Sequence, residues 1–438
     1  EFGPASFDRN DSAAAQAQAE LRIAEAELKR IEPLAADEII PRKELLRAQA
    51  DRDKAAAAAR AASDRLRVLG GSPGAGGSRA SGFTVTAPFA GTVIEDGEDP
   101  GSERAIDAVA RHLKLDQVEA RRKNFVQPAE FPYRPYGSMG VMYDSGNYQG
   151  LLDKALAAFD YDGRRGECEA LRGSGIYRGI GVAAYTHMCG MAPSRRLAMS
   201  GFDRGGWESA RVSIDSSGRA TIYSGSMSQG QGHITSLSQI AADVLQIPIE
   251  DIDIVQGDTR QVQAGHGTFN SRSMAVGGSS VHVSSRRIVA KAKKIAAGML
   301  EVDEKDVSYS AGAFSVPGTD IAPVTFSKVA RMAYVGHKLP DGIAPGLDET
   351  VFYDPTGMGS PSGIHLAYVE VDPETGIVDI LDYVAVDDVG TLINPRLAAG
   401  QIHGGVVQGI AQALYEEVSY DPDNGQLLTG SLLDYAVP

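Results

Sequence analysis

The amino-acid sequence predicts an α+β core that is preceded by a helical hairpin and a small β fragment. Residues 210–215 and 220–223 alternate apolar and polar side chains around Ser216-Ser217-Gly218, which is typical of a β-hairpin. Residues 368–372 and 377–380 flank a turn that ends in glycine and predict a second hairpin. Hairpins combined with separate helical segments favour the α+β class.

Helical segments of the core are predicted by apolar residues that recur at a spacing of three and four. Residues 234–245 show this pattern directly after the first hairpin and end before Pro248. Residues 291–300 predict a short amphipathic helix whose lysines face solvent. A further helix is predicted to start at Asn394-Pro395.

Residues 1–69 predict an antiparallel helical hairpin. The first helix is indicated by apolar residues spaced by three, four and three, namely Leu21, Ala24, Leu28 and Ile31. A second run between residues 45 and 69 keeps this spacing, with prolines marking the turn between them. Residues 70–102 then combine a Gly-rich linker with a short strand pair around a Pro-Phe-Ala-Gly turn, and residues 103–438 form the α+β core.

Composition and charge limit the class of function. The chain has 438 residues, and its 43% hydrophobic content and 50 glycines suit a globular core with close backbone approaches. The net charge of -15 argues against nucleic acid as a partner, because phosphate backbones are bound by dense Lys and Arg patches. Cys168 and Cys189 are too few for an iron–sulfur cluster and are expected to be buried thiols. No metal ligands and no membrane-spanning apolar run are predicted.

The most distinctive motif is Gly230-Gln231-Gly232-His233-Ile234-Thr235, which lies between the first predicted hairpin and the following helix. Two glycines let a backbone turn sharply and approach a ligand, while a helix start offers free N–H groups to an anion. An ordinary strand-to-helix turn is the alternative interpretation. A Rossmann site does not fit, because a hairpin precedes the loop and no strand with a ribose-binding acid follows at the expected spacing.

Two further segments favour a cofactor site. Residues 267–273, followed by Gly277-Gly278, gather three hydroxyls, an amide and a guanidinium, which suit phosphates and polar ring edges. On the helix predicted after Asn394, Gln401 and Gln408 are seven apart and therefore share a face. Carboxamides can both donate to and accept from a heterocycle. A core helix that packs closely through its glycines is the alternative for this element.

These motifs, in this order, resemble one family. Residues 103–438 resemble the large subunit of molybdenum hydroxylases, the xanthine dehydrogenase and aldehyde oxidase superfamily, and within it the carbon monoxide dehydrogenase large-chain-like branch. Besides the Gly-Gln-Gly loop, the resemblance runs through residues 120–125, 143–148, 179–182, 270–278 and 401–408. It implies a molybdopterin-binding large-subunit core.

The resemblance also implies which residues contact the cofactor. Gln231 and Gly232 stand where the family contacts molybdopterin, and Thr235 stands where the loop meets phosphate. The segment that lines the pterin dinucleotide corresponds to four consecutive residues, Asn270, Ser271, Arg272 and Ser273, the first in place of a small residue usual in the family. Gln408 matches the glutamine that hydrogen-bonds the pterin, and Gln401 is a second candidate on the same helix.

The activity implied by the resemblance is oxidation of a small molecule at a molybdenum centre. The cofactor would be molybdopterin with Mo, in its cytosine dinucleotide form, with iron–sulfur and FAD groups on partner subunits of an oligomeric, cytoplasmic complex. The first cofactor segment is expected before residue 103, and the glutamate that abstracts the substrate proton is expected beyond Pro438. No catalytic residue is therefore assigned within residues 1–438, and the chain alone is expected to be inactive.

Residues 1–102 resemble a different family, the periplasmic adaptor or membrane fusion proteins of efflux pumps. Residues 87–91, Ala-Pro-Phe-Ala-Gly, look like the second half of the adaptor's lipoyl-like domain. The two resemblances together imply two partial modules joined near residue 102, as a fusion, a gene-assembly artefact or an engineered chain. An efflux adaptor, and a non-catalytic protein that has lost the cofactor, are the alternatives to a molybdenum enzyme.

Overall fold

The computed structural model describes residues 100–135, 142–191, 193–199 and 201–436, together with parts of residues 21–59. Contacts between Cα atoms divide the chain into Glu1–Phe89 and Ala90–Pro438. In the first unit the described residues 21–22, 24–32, 45, 48–56 and 59 are helical, as the sequence predicts for this region. The pairing of the two predicted helices, the linker and the lipoyl-like segment lie outside the described residues.

The second unit combines helices with ten strands within the described residues. The strands in chain order are β1 (Tyr177–Thr186), β2 (Glu208–Ile214), β3 (Ala220–Ser224), β4 (Ile252–Val255), β5 (Ser308–Ser310), β6 (Ala313–Ser315), β7 (Val324–Thr325), β8 (Leu347–Tyr353), β9 (Ser362–Val371) and β10 (Val378–Asp388). The α-helices are α1 (Pro100–Leu113), α2 (Gln117–Asn124), α3 (Tyr148–Phe159), α4 (Tyr161–Arg172), α5 (Ser194–Met199), α6 (His233–Leu245), α7 (Ser279–Leu300), α8 (Phe326–Met332) and α9 (Pro395–Leu414).

One three-stranded antiparallel sheet has the order β1-β9-β10. Its β9–β10 pair is the second predicted hairpin, with Val371 opposite Val378, and is longer than the sequence pattern indicates. Helices α3 and α4 pack against this sheet. Leu152 and Phe159 of α3 and Leu366 of β9 are among the buried apolar residues between them. Burial of these side chains stabilises this half of the unit.

A mixed four-stranded sheet has the order β4-β3-β2-β8. The first predicted hairpin is confirmed, because β2 and β3 pair antiparallel with Ile214 opposite Ala220. Helix α6 connects β3 to β4, and these two strands are parallel. Helices α6 and α7 cover the sheet, with the buried core between them formed by residues such as Ile222, Leu237 and Ile288. Strand β3 of this sheet and helix α6 fix the position of the Gly-Gln-Gly loop, which connects them.

Helix α7 is longer than predicted. The sequence indicates a short helix over 291–300, whereas the structure has one 22-residue helix, Ser279–Leu300. Its first half contains Ser280, Ser284 and Ser285, which interrupt an apolar pattern but are fully buried. The Ser280 hydroxyl donates to the Gly277 carbonyl at 2.6 Å, and the Ser284 hydroxyl donates to the Ala210 carbonyl at 2.9 Å. Buried serines with backbone partners are compatible with a core-facing helix, which periodicity alone does not detect.

A small antiparallel sheet, β5-β6-β7, completes the core beside α8. Phe314 of β6 and Phe326 of α8 belong to the same buried cluster as the α6 and α7 residues. Among the helices of the described residues, none is both long enough and apolar enough to cross a membrane. The α+β architecture that the sequence predicts for residues 103–438 is therefore present in the described part of that range.

Candidate cofactor-binding site

The Gly-Gln-Gly loop leads directly from β3 into α6. Gly230 and Gly232 have φ values of 98° and 80°, in the left-handed region that glycine adopts without strain. Helix α6 begins at His233, and among the described residues no side chain caps its first turn. The N–H groups of an uncapped first turn point out of the helix toward any anion placed there. The structure thus confirms a loop at a helix N-terminus.

A second segment, residues 267–273, meets this loop through Thr268. The Thr268 hydroxyl accepts a hydrogen bond from the Met227 N–H at 3.0 Å and donates one to the Met227 carbonyl at 2.6 Å. The same oxygen lies 2.9 Å from the Ser273 hydroxyl. Two segments about forty residues apart in the chain are therefore joined by a single threonine, which links Met227, three residues before Gly230, to Ser273.

Asn270 and Ser271 form the exposed tip of this second segment. Their φ values are 46° and 53°, so that two consecutive non-glycine residues are left-handed. Asparagine is among the residues that tolerate this conformation best. Ser271 is held by two residues that follow β1, because its hydroxyl lies 3.3 Å from His187 Nε2 and its carbonyl accepts the Cys189 thiol at 2.9 Å. Cys189 is half-buried rather than fully buried, and burial raises the pKa of its thiol.

Arg272 points into the protein, unlike Asn270 and Ser271, which are exposed. Its side chain is 1% exposed and its Nη1 lies 2.6 Å from a carboxylate oxygen of Glu208, which is fully buried. Its other terminal nitrogen donates to the carbonyls of Gly206 at 3.0 Å and Trp207 at 2.7 Å. The sequence suggests a guanidinium offered to phosphate, but in the structure protein groups occupy it. A phosphate would have to compete with Glu208 for this side chain.

Glu208 is the residue of this site that the sequence analysis missed. It opens β2, and it lies on the same inward face as Ala210, Val212 and Ile214, all fully buried. The sequence does contain a signal for Glu208. An acidic residue stands at the first position of a strand face whose other members, every second residue, are apolar. An ionised group placed on a buried face requires a charged partner.

A buried polar cluster lies beneath the Gly-Gln-Gly loop. The Gln256 amide donates to the Ser226 carbonyl at 2.6 Å and lies 3.3 Å from His233 Nδ1. Burial lowers the pKa of His233, which is 3% exposed, and so favours the neutral imidazole. Among the described residues, neither the Ser226 hydroxyl nor the Gln256 amide oxygen has a hydrogen-bond partner. Buried polar atoms of this kind normally have one, from protein, water or ligand.

Helix α9 adjoins the loop only at its first turns. The Asn394 amide donates to Gln239 of α6 at 2.8 Å, and a Cβ atom on Gly232 would lie 2.7 Å from the Leu397 side chain. Gln401 and Gln408 lie farther along α9 and are exposed. The structure therefore brings the start of α9 to the loop, whereas the roles of these two glutamines stay predictions. In the described part of the chain, α9 is a largely exposed helix and not a closely packed core helix.

A cavity beside α9 is separate from the predicted cofactor site. It has a volume of about 470 Å³ and is lined by Asn147, Gly150, Leu151, Lys154, Val386, Asp387, Asp388, Val389, Gly390, Leu392, Pro395, Ala398, Ala399 and Ile402. The predicted site residues are not among these. At its wall, Asp387 accepts hydrogen bonds from Tyr185 and His365, and these lower the pKa of Asp387 although burial opposes the shift. Asp388 caps the following turn, because its carboxylate accepts the Gly390 N–H.

The Gly-Gln-Gly loop and residues 267–273 offer hydrogen-bonding groups that carry no charge, and such groups suit a phosphorylated heterocycle. They comprise the open first turn of α6, the Thr235 hydroxyl on that turn, the exposed Asn270 and Ser271, and the unpartnered Ser226 hydroxyl. Backbone N–H groups and hydroxyls bind phosphate without a full positive charge. Within the described ranges, no group of three or more His, Cys, Asp or Glu side chains could hold a metal ion directly. The donor set fits a phosphorylated heterocyclic ligand.

The chain is similar in sequence to known proteins. The carbon monoxide dehydrogenase large chain of Hydrogenophaga pseudoflava is 40% identical over 339 residues, which cover 77% of this chain and 41% of the relative. The nicotine 6-hydroxylase large subunit of Paenarthrobacter nicotinovorans is 37% identical with the same coverages. The chain thus spans about two fifths of the length of these curated relatives.

The fold is also similar to solved structures. The CO dehydrogenase of Oligotropha carboxidovorans superposes with a TM-score of 0.72 and 36% sequence identity, over 77% of this chain and 42% of that protein. The model of a family described as the molybdopterin cofactor-binding domain matches residues 154–438. Because this match covers more than half of the 438 residues, the chain belongs to the molybdopterin cofactor-binding domain family.

Proposed function

We propose that residues 103–438 are the second cofactor-binding part of a molybdenum hydroxylase large subunit, which oxidises a small molecule. The observation that carries the proposal is the junction at Thr268, which joins residues 267–273 to the loop at the open N-terminus of α6. An ordinary strand-to-helix turn needs no second polar segment, whereas a cofactor cradle does. The relatives named above carry the titles of large chains or subunits of oxidising enzymes.

Different residues of the chain would bind different parts of the cofactor. We assign the phosphate end to the first turn of α6 with Thr235, and the pterin to Gln231 and the glycine backbone at Gly232. Asn270, Ser271 and Ser273 would line the dinucleotide, which we take to be the cytosine form. Gln401 and Gln408 are assigned to the pterin edge on the family resemblance alone. When bound, the cofactor supplies a molybdenum ion that takes up electrons from the substrate.

The partners follow from the same proposal. Iron–sulfur and flavin subunits would carry electrons away from the molybdenum, within an oligomeric assembly. We expect the assembly in the cytoplasm, and we expect the catalytic glutamate and the first cofactor segment from parts of the large subunit outside residues 1–438. The chain alone would then bind cofactor poorly and turn over no substrate.

The test is cofactor loading. The chain is co-expressed with the family segments that precede residue 103 and follow Pro438 and with molybdenum maturation proteins, and molybdenum and released pterin nucleotide are measured. We expect one molybdenum per chain, with cytidine monophosphate on acid hydrolysis. Thr235→Val and Ser273→Ala each remove one hydroxyl and should lower the molybdenum content about tenfold, the effect of losing a hydrogen bond to a charged group.

Thr350→Val serves as the matched control. Thr350 lies on β8, opposite Arg211 and away from both loops, and valine suits a strand position. Its molybdenum content should equal that of the wild type. If the wild-type assembly contains no molybdenum even with all these components, the chain is a non-catalytic protein that keeps the fold and has lost the cofactor.

The adaptor-like interpretation of residues 1–102 is a separate proposal. The helical state of the described residues within 21–32 and 48–56 is compatible with it. Removal of residues 1–89, the first unit, should leave the α+β core folded and its molybdenum loading unchanged. An efflux function would instead require that this deletion abolish a measurable export phenotype.

A further inference from the structure

The buried pair Glu208–Arg272 lies directly behind the segment proposed to line the cofactor. We infer that these two residues are positioning residues, which hold residues 267–273 against the Gly-Gln-Gly loop so that the cradle exists before the cofactor arrives. The inference rests on the proposed function, because it assigns a task toward the same site. It gives Arg272 a role other than phosphate binding and adds Glu208 to the site.

The Glu208 carboxylate accepts hydrogen bonds both from its own strand β2 and from residues 266–272. It accepts from Arg272 Nη1 at 2.6 Å, from the Gly267 N–H at 3.2 Å, from the His266 N–H at 3.3 Å and from its neighbour Ser209 at 3.0 Å. A carboxylate that is buried without such donors is strongly unfavourable. The start of the segment is therefore tied to β2, which is an inner strand of the four-stranded sheet.

Arg272 closes the segment from its other end. Besides Glu208, its Nη1 donates to the Gly267 carbonyl at 2.9 Å, so that one side chain joins the first and sixth residues of the loop 267–272. The residues between these ends include Asn270 and Ser271, whose left-handed backbone needs support from the surroundings. The guanidinium supplies that support while it remains out of reach of the open face.

The same carboxylate is also packed against the Gly-Gln-Gly side of the site. A Cβ atom on Gly265 would lie 2.7 Å from Glu208 Oε1, and one on Gly225 would lie 2.7 Å from the Gly265 Cα atom. The backbones of the two loops therefore cross over the Glu208 side chain with no space between them. A change at Glu208 is transmitted to both loops, whereas a surface ion pair would affect neither.

The experiment compares local amide exchange with overall stability in the full chain without cofactor. In Glu208→Gln the donors from Arg272, His266 and Gly267 lose a charged acceptor. Amides of residues 266–273 should then exchange at least about tenfold faster, as expected for loss of hydrogen bonds to a charged group. Amides of α7 should exchange at the wild-type rate, because that helix takes no hydrogen bond from the pair.

A double variant covers the case in which the single variant does not fold. Glu208→Met with Arg272→Met replaces the buried pair by apolar side chains of similar length, a change that buried pairs often tolerate. We expect this variant to melt within a few degrees of the wild type, to exchange rapidly over residues 266–273, and to lose about nine tenths of its molybdenum when co-expressed as above. A pair that only stabilises the fold would leave the last two measurements unchanged.

Asp107→Asn is the matched control. It removes the carboxylate partner, at 2.7 Å, of Arg121, whose side chain is 1% exposed like that of Arg272, but it lies on α1. Exchange over residues 266–273 and molybdenum content should stay at wild-type values. The inference is overturned if the folded Glu208 variants keep wild-type exchange in this segment, or if they exchange rapidly and still retain full molybdenum. An absence of molybdenum from the wild-type assembly itself would instead overturn the proposed function.

Discussion

Two glycine-rich regions that look alike in the sequence have different surroundings in the structure. Around the Gly-Gln-Gly loop, Gly230 and Gly232 have left-handed φ values of 98° and 80°, a Cβ on Gly232 would lie 2.7 Å from the Leu397 side chain, and one on Gly278 would lie 2.9 Å from the Ile240 side chain. In α9, Gly400, Gly404, Gly405 and Gly409 have no atom of the described residues within 4 Å of such a Cβ.

The difference separates two uses of glycine. In the loop region glycine permits a left-handed turn at Gly230 and Gly232 and a close approach of two backbones at Gly225 and Gly265. In α9 no contact within the described residues demands glycine. The glycines therefore lower the stability of the helix, because glycine loses more conformational entropy on folding than alanine does, and no close contact offsets this loss. Substitutions by alanine should therefore have opposite signs in the two regions.

The largest effect is expected at the crossing of the two loops. In Gly225→Ala the new methyl group would overlap the Glu208 carboxylate and lie 2.9 Å from the Ala264 carbonyl oxygen. Because backbone must move, the free energy of unfolding should fall by about 3 kcal/mol. Urea unfolding measures this loss. Gly357→Ala, where no described atom lies within 4 Å, should change stability by less than about 0.5 kcal/mol, and equal losses in both would refute the comparison.

A smaller loss is expected at Gly277. Its added methyl group would overlap only the Ser226 hydroxyl, and the Ser226 Cβ would lie at an ordinary 3.5 Å. Gly277→Ala should cost about 1–2 kcal/mol, and Ser226→Ala in the same chain should recover most of it. A double-mutant cycle by urea unfolding gives the coupling energy. Additive effects of the two changes would show that the hydroxyl is not the obstacle.

The opposite sign is expected in α9. Gly404→Ala places the better helix former in the interior of the helix and meets no described atom. The chain should become more stable by up to about 1 kcal/mol. Thermal and urea unfolding of the isolated chain provide the measurement. Destabilisation by Gly404→Ala would mean that α9 packs closely after all.

The smallest effect concerns pH and the buried cluster under the loop. Because burial lowers the pKa of His233 from its usual 6.5, the unfolded chain takes up this proton first as the pH falls. The contribution of His233 to stability is thus complete above about pH 6.5 and is lost as the pH falls through the lower folded-state pKa. Unfolding of His233→Asn at pH 7.5 and 5.5 should show a smaller acid loss than the wild type. An equal loss in both proteins would contradict a buried, neutral imidazole.

The sequence predicted those elements whose signal is local. Both hairpins and α6 were identified because a period of two, a turn and a helical period lie within about fifteen residues. Helix α7 was predicted at less than half its length, because its first half carries buried serines, and one of them, Ser284, donates to the carbonyl of Ala210, far away in the chain. The local pattern carries no record of such partners.

The candidate site shows the same limit. The loop at a helix start was predicted from Gly230 and Gly232, and the structure has it. The inward direction of Arg272 was not predicted, because its partner Glu208 is 64 residues away and the pairing depends on how β2 meets the loop. The grouping of Gln401 and Gln408 with the loops stays a prediction.

The sequence by itself determined the order of hairpins and helices, the motifs of the family and the polar composition of the loops, because each of these is written in neighbouring residues. Only the tertiary structure decided which loops touch, which glycines are indispensable and which charged side chain faces inward. Those properties arise from close packing between segments that are distant in the chain, and packing depends on three-dimensional contacts that no short-range pattern specifies.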